Sequence, residues 1–461
     1  MMHPVRRFGT TLLLVAVPAL VLASPSFHRR WHWSIADTGR SAAQLPDGGY
    51  IISGGMEVTT DSFGVVLART DSLGNTLSVH QILHTDAGGG FSCRVVDGGY
   101  AVLAESGGRI FVRRFSPVGD SLWNYQSTWG GPISAIIPTL DGGCLVAGRI
   151  PDTAYDMGAI KLAPDGHEEW ARGYDEPRMY DSWAHGAAQT RDGGYVLCGE
   201  ATDYTSVNMR LARLQPNGDS AWTRLYHGPI EPMLNDVREM SDGGFLAVGS
   251  EFDTSGSHAA LYMMRTNSAG DTVWTRHLSP PGGATRAAAM CATRDGGYVI
   301  AGTIDWGDSA RAWLVKTYAN AETTWTSVLP GTGREQATDV EQTADGGYVV
   351  AGSGDAEGGV VLVVKTDSLG RVGVEECRPT APGRAVLSVV PNPASGVVRI
   401  DCSLPASVGA RLRLYDVAGN LVQTLAGVAR CALPVAGLAK GVYLLKLDYD
   451  RGTATRKLVV E

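Results

Sequence analysis

Lysine is almost missing from this sequence. Only 6 of its 39 basic residues are Lys, and 47 acids leave a formal net charge of −8. With no basic excess to neutralise phosphates, the composition argues against nucleic-acid binding. Charged residues are only 19 % of the chain and hydrophobic ones 44 %. A disordered chain has the opposite balance. No apolar run reaches the ~20 residues that a membrane-spanning helix needs. Cysteine is sparse, and its count of seven is odd, so at least one thiol has no partner within the chain. There is no Cys-x-x-Cys and no Cys/His cluster, which leaves a zinc site unsupported. Gly-x-Ser-x-Gly and His-Glu-x-x-His are also absent, and the ten His residues show no ligand spacing. No catalytic residue, metal or cofactor is therefore assigned, and an enzyme is not the leading expectation.

Glycine, by contrast, is abundant: 59 of 461 residues, against a usual ~7 %. That much Gly is incompatible with a helical bundle or coiled coil and points to strands and tight turns. One tetrapeptide recurs seven times, beginning at Asp47, Asp97, Asp141, Asp192, Asp242, Asp295 and Asp345, in each case Asp-Gly-Gly followed by Tyr, Phe or Cys. The spacings are 50, 44, 51, 50, 53 and 50 residues, the length of one four-stranded propeller blade. Each unit has an alternating strand before the Asp, a hairpin turn at Asp-Gly-Gly, and a buried strand such as Tyr348 to Gly352. A third apolar strand follows, then a second turn ending in Gly, and a Trp four residues later at Trp123, Trp170, Trp222 and Trp274. Trp325 holds that place in the sixth unit, where Ala321 replaces the Gly, while Ser78 and Val374 hold it in the first and last units. The Trp side chains are expected to wedge between blades. In length the repeat is similar to kelch, but its Gly pair precedes the buried strand instead of following it.

The chain ends complete this reading. Residues 1–23 read as a signal peptide: Arg6 and Arg7 precede an apolar run from Thr11 to Ala23. Residues 24–374 form the propeller, and the segment Arg30 to Ser34 is expected to act as an orphan strand that completes the last blade. Such a ring has no open edge. Residues 375–384 read as a linker. Residues 385–461 alternate as strands with Gly/Asn turns, giving a small Ig-like β-sandwich. The fold class is thus all-β, a seven-bladed propeller followed by a sandwich.

The last segment also carries specific motifs. Pro391-Asn392-Pro393 opens it, and Leu412 to Gly419, with Asp416 and Gly419 at its turn, follows. Gly437 to Tyr443, including Gly441 and Tyr443, forms a late hairpin, and Arg456-Lys457 precedes an apolar end. These residues resemble the type A sorting domain of the type IX secretion pathway. The resemblance implies export through the periplasm, docking on the outer-membrane secretion machinery, and a final place at the cell surface or in the medium.

The site is read from blade topology. Both tight turns of each blade emerge on one face, so the variable loops and crossovers share the other, where binding is expected. Six and four residues before each repeat Asp lie positions expected to line the central channel. They place Asp236, Arg238, Asp339 and Glu341 there, with Arg286, Arg334 and Glu335 near the mouth. Asp181, Trp183 and His185 cluster at another crossover. Loop acids such as Asp152, Asp156, Asp203, Asp253, Asp305, Asp308 and Asp355 bring one or two carboxylates per loop, short of the six to eight oxygens calcium takes. The leading reading is a monomeric binding module for a glycan, peptide or other macromolecule. The alternatives are a polysaccharide hydrolase or lyase using channel carboxylates, and a structural component of the envelope.

Overall fold

The computed structural model describes residues 26–31, 36–59, 62–85, 92–96, 98–106, 108–117, 119–128, 130–151, 155–174, 181–203, 206–228, 232–252, 259–279, 283–355 and 359–372. In the C-terminal part it describes residues 386–390, 394, 397–403, 411–416, 420–425, 430–449 and 452–460. Residues 1–25, with the expected signal peptide, and the expected linker lie outside these. The chain divides into two compact units, 1–375 and 376–461.

The first unit is a seven-bladed propeller of four-stranded antiparallel blades. The inner strands are Ala36–Gln44, Ser92–Val96, Ile133–Pro138, Asp181–Gln189, Met233–Glu239, Ala284–Ala292 and Glu335–Gln342. In the last blade the outer strand comes from the chain start: Phe27–Trp31 pairs with Val360–Thr366. Seven apolar clusters, one at each blade interface, form the core. One of them joins Val349 and Val363 of the last blade to Ala42 and Ile52 of the first. The third and fourth blades are further linked by a single parallel bridge, Tyr155 to Asp181.

In the six blades whose repeat Asp is described, the Asp-Gly-Gly turn fastens the blade. Asp192 Oδ1 accepts the Gly194 N–H at 3.2 Å while Oδ2 takes the Arg213 guanidinium at 2.5 Å. The same arrangement joins Asp47 to Arg69, Asp141 to Lys161, Asp242 to Arg265, Asp295 to Lys316 and Asp345 to Lys365. The basic partner always lies on the third strand, two residues before the second turn. All three Lys of the propeller occupy this place.

The outer-strand Trp residues seat on the next blade. The Trp123 indole N–H donates to the Pro164 carbonyl at 2.8 Å, in the turn of the following blade. Gly218 has φ +85°, and a Cβ there would lie 2.7 Å from the Trp170 indole. Phe27 takes the same seat over Gly74 of the first blade and pairs with Lys365 as Trp170 pairs with Lys161. The residue that completes the Trp series in the last blade is therefore Phe27. The observed strand starts at residue 27, three residues before the segment expected from the sequence, because a ring side chain at this register fills the seat.

The second unit is a small β domain of seven strands. One sheet has three strands, Val386–Val390, Val397–Ser403 and Arg430–Pro434. The other runs in the order Leu421–Leu425, Arg411–Asp416, Gly441–Tyr449 and Gly452–Val460. Val398, Ile400 and Leu433 of the first sheet pack against Leu412, Leu414, Leu445, Leu447 and Leu458 of the second.

Candidate functional site

A β-bulge recurs at one position of the inner strand. In blade four, Ala184 pairs with Gly199 and Gly186 with Cys198, which leaves His185 unpaired between them. The same slip leaves Arg40, Ser134, Asn235, Ala288 and Thr338 unpaired in blades one, three, five, six and seven. A bulge bends the strand and re-aims its extra side chain. Here it turns all six residues into the central channel. The second strand makes room for the bend with Gly four residues after the repeat aromatic. A Cβ on Gly199 would lie 1.8 Å from the Trp183 carbonyl oxygen.

Two cavities meet at this ring. The deeper, of about 210 Å³, is lined by Arg40, Ser134, His185, Asn235 and Thr338 with Asp236, Arg238 and Asp339. The other, of about 300 Å³, lies towards the loop face and adds Arg286, Thr303, Asp305 and Gln336. Arg40 belongs to both. Arg40 is exposed, yet the channel wall takes away part of its hydration. This loss of solvation lowers its pKa from the ordinary value.

The channel acids are already engaged. Asp236 accepts the Val237 N–H at 2.8 Å and, across the blade interface, the Met290 N–H at 2.8 Å. It also pairs with Arg238. Asp339 accepts the Val340 N–H at 2.9 Å and the Ser41 hydroxyl of the first blade at 2.6 Å. These buried carboxylates clasp neighbouring blades, a different task from the acid and base roles considered for them.

The remaining candidates divide. Trp183 stacks on His185 with centroids 5.5 Å apart and donates to Ser134 Oγ at 2.9 Å. His185 Nε2 lies 3.7 Å from Glu200. Asp181 pairs with Arg149 at 3.1 Å across the junction of blades three and four. Burial raises its carboxyl pKa, Arg149 opposes this, and Glu200 adds to it. Arg334 occupies the equivalent position between blades six and seven and pairs with Asp305 at 2.6 Å, the same strut with its charges exchanged. Arg286 is exposed at the loop-face cavity and stacks over Phe252 at 5.5 Å. Glu335 corrects the expectation of a channel-mouth residue: its buried side chain turns outward, to His28 and Arg30 at 3.4 Å each. Gly354 lies between the inner and outer strands there and leaves it a path. Glu341 is half-buried closer to the turn face and lines neither cavity.

The bulge ring and its Arg40 escaped a strict two-residue alternation, which sends that position between blades. Its signal was available, since Arg40, Ser134, His185, Asn235 and Thr338 are polar where their neighbours two residues on are apolar. Trp306 was also missed; it is 42 % exposed on a loop of blade six, against Gly283. The thiols of Cys144 and Cys291 are pushed up to about 12 by burial, and that of Cys198 well above its ordinary value. Among the described residues no group of three His, Cys, Asp or Glu could hold a metal ion. Asp152 and Asp253 lie outside the described residues.

In the second unit Asp416 closes a hairpin by accepting the Asn420 N–H at 2.8 Å. Tyr443 is buried and donates its hydroxyl to the Ala439 carbonyl at 2.8 Å. Gly441 opens the long strand that contains Tyr443, and Arg456 and Lys457 are exposed on the last strand. Pro391, Asn392, Pro393 and Gly419 lie outside the described residues.

Residues 388–461 match the family model of the secretion system C-terminal sorting domain. No curated protein matches the chain. Among solved structures, an ulvan lyase, from a new family of polysaccharide lyases, is similar at TM-score 0.52 and 11 % identity, over 74 % of this chain and 96 % of that one. A second ulvan lyase structure, bound to -[GlcA(1-4)Rha3S]-, gives the same figures. A streptogramin B lyase is similar at TM-score 0.49 and 12 % identity, over 74 % and 98 %. The ulvan lyase likeness shows the propeller fold alone. The sorting domain marks the chain as a cargo of the type IX system, exported to the cell surface or released.

Proposed function

We propose that this exported propeller is a binding module whose ligand occupies the loop-face end of the channel. The observation that carries the reading is the bulge ring. Six side chains of varied chemistry are presented inward at one level by a scaffold that is otherwise repetitive. A rigid frame with variable side chains at one end is the usual organisation of a recognition site. Asp236 and Asp339 brace that frame, so the reading needs no free carboxylate.

The runner-up is a polysaccharide lyase or hydrolase. The ulvan lyase shares the fold, and His185 lies in the deeper cavity beside Glu200. One experiment separates the two. The mature chain is screened by thermal shift against soluble polysaccharides and peptides, and each positive is then assayed for chain cleavage. A ligand at 100 times its Kd adds about 2.7 kcal/mol to stability. A shift without cleavage supports the binding module, and cleavage overturns it in favour of the lyase or hydrolase. Self-assembly with no shift from any polymer overturns both and leaves the envelope component.

A further inference from the structure

We infer that the ligand of this site is an acidic polysaccharide, and that Arg40 is the residue that receives one of its anionic groups. The inference deepens the binding-module reading and rests on it.

Arg40 stands at the junction of the two cavities. Among the described residues no acid pairs with it and no acceptor bonds to it. The acids nearest in the lining are occupied: Asp236 by Arg238 and two backbone N–H groups, Asp339 by the Ser41 hydroxyl and a backbone N–H. The loop-face cavity adds a second cation, Arg286, and its one lining acid, Asp305, is bound by Arg334. Arg40 is thus an exposed channel cation without a counter-ion among the described residues. A chain of net charge −8 nevertheless holds one in its channel. An incoming carboxylate or sulfate would supply the missing counter-ion and meet the planar guanidinium with two parallel hydrogen bonds.

The carrier of the anion follows from the surroundings. Trp306 is exposed at the mouth of blade six, three residues of inner strand away from Arg286 by way of Gly283. An exposed indole offers an apolar face for a sugar ring, and the channel arginines offer charge for its acidic substituent. A peptide held in extended form would need a straight strand edge to pair with. The inner strands are bulged in six blades, which breaks that edge at the level of the cavities.

The test uses the mature full-length chain and four probes: polygalacturonate, dextran sulfate, neutral dextran and poly-glutamate. Binding is measured by calorimetry for wild type, Arg40→Gln and Arg286→Gln, with melting temperature recorded for each. The expected result is binding of polygalacturonate or dextran sulfate and none of dextran. The preferred acidic polymer distinguishes a carboxylate from a sulfate site. Arg40→Gln should weaken that binding about tenfold or more, and it should melt close to the wild-type temperature, since Arg40 is exposed and bonds to no described acceptor. Unchanged affinity in Arg40→Gln overturns the inference, as does equal or tighter binding of poly-glutamate. Binding of dextran alone overturns the inference and leaves the binding-module reading in place. Loss of binding in Arg40→Gln with a lowered melting temperature is resolved by Arg40→Lys. Restored folding with partial affinity supports the assignment, and restored folding with full loss of discrimination between dextran and the acidic polymers overturns it.

Discussion

The Asp339 carboxylate accepts a 2.6 Å hydrogen bond from the hydroxyl of Ser41, 298 residues earlier in the chain. The bond spans the seam where the last blade meets the first. Hydrogen bonds to a buried charge contribute ~1.5–3 kcal/mol each. Asp339→Ala is therefore expected to lower unfolding stability by about 2 kcal/mol or more, read as a shift of the urea midpoint. A catalytic carboxylate would instead lose turnover at unchanged stability, and that outcome would return Asp339 to the list of acids available for chemistry.

The repeated basic residue predicts a gradient. Lys365 and Asp345 are both almost fully buried, with side chains 0 % and 4 % exposed, whereas Asp141, the partner of Lys161, is 47 % exposed. Removing one member of a buried pair strands a charge and costs ~3–5 kcal/mol. An exposed acid that loses its partner is rescued by water, at ~1 kcal/mol or less. Lys365→Met should thus destabilise the propeller several times more than Lys161→Met in parallel chemical denaturation. Equal losses would show that the lysine stems, not the charges, carry the effect.

The Trp seats predict a steric limit. Gly218→Ala places a methyl group 2.7 Å from the Trp170 indole at a backbone φ of +85°, and both effects are destabilising. A loss above about 2 kcal/mol is expected from calorimetric unfolding. Phe27→Ala should cost about 3–5 kcal/mol, because Phe27 alone fills the seat at the seam. Phe27→Trp, which copies the other blades, should recover most of that loss, and a Trp variant no better than Ala would refute the equivalence.

Acid stability has a defined sign. Partial burial works to raise the Asp295 carboxyl, but hydrogen bonds from Thr293, Lys316 and Gly297 outweigh it and bring the pKa down to about 2. Asp47, Asp141, Asp192 and Asp345 are lowered as well. A carboxyl with a depressed folded pKa releases its proton more readily when folded. Its stabilisation is present above the unfolded value of ~4 and is lost as pH falls towards about 2. The urea midpoint should therefore fall across that window, and the fall should be shallower in Asp295→Asn. Apart from Asp345, these carboxylates face water, so added salt should also flatten the slope.

The buried thiols should be inert. Cys144 and Cys198 are fully buried with raised pKa values, so little thiolate exists at neutral pH to react. Peptide mapping after iodoacetamide treatment should find both unmodified in the native protein and alkylated after denaturation. Native labelling at either would indicate an opening motion of the blade.

Much of this was legible in the sequence because the repeat copies one physical solution seven times. Asp-Gly-Gly needs a left-handed Gly and an Asp that can fold back on the turn, and that demand survives every variation around it. The Trp four residues past the second turn is legible for the same reason. Phe27 was not, since a different ring in a strand displaced by some 340 residues can be equated with Trp325 only once the register with Lys365 is known. Arg40 was hidden by an extra residue. Strict alternation sends it between blades, and the slip that turns it into the channel depends on Gly54 lying opposite.

The sequence by itself determined the blade count, the closed all-β architecture and the sorting domain, because periodic turns and local motifs act within a few residues of one another. Only the tertiary structure decided which side chains meet. Asp236 and Asp339 became braces, Glu335 turned away to His28 and Arg30, and Arg40 was left without a partner among the described residues. These outcomes depend on contacts between blades, and a pattern read along one strand carries no record of what the neighbouring blade presents.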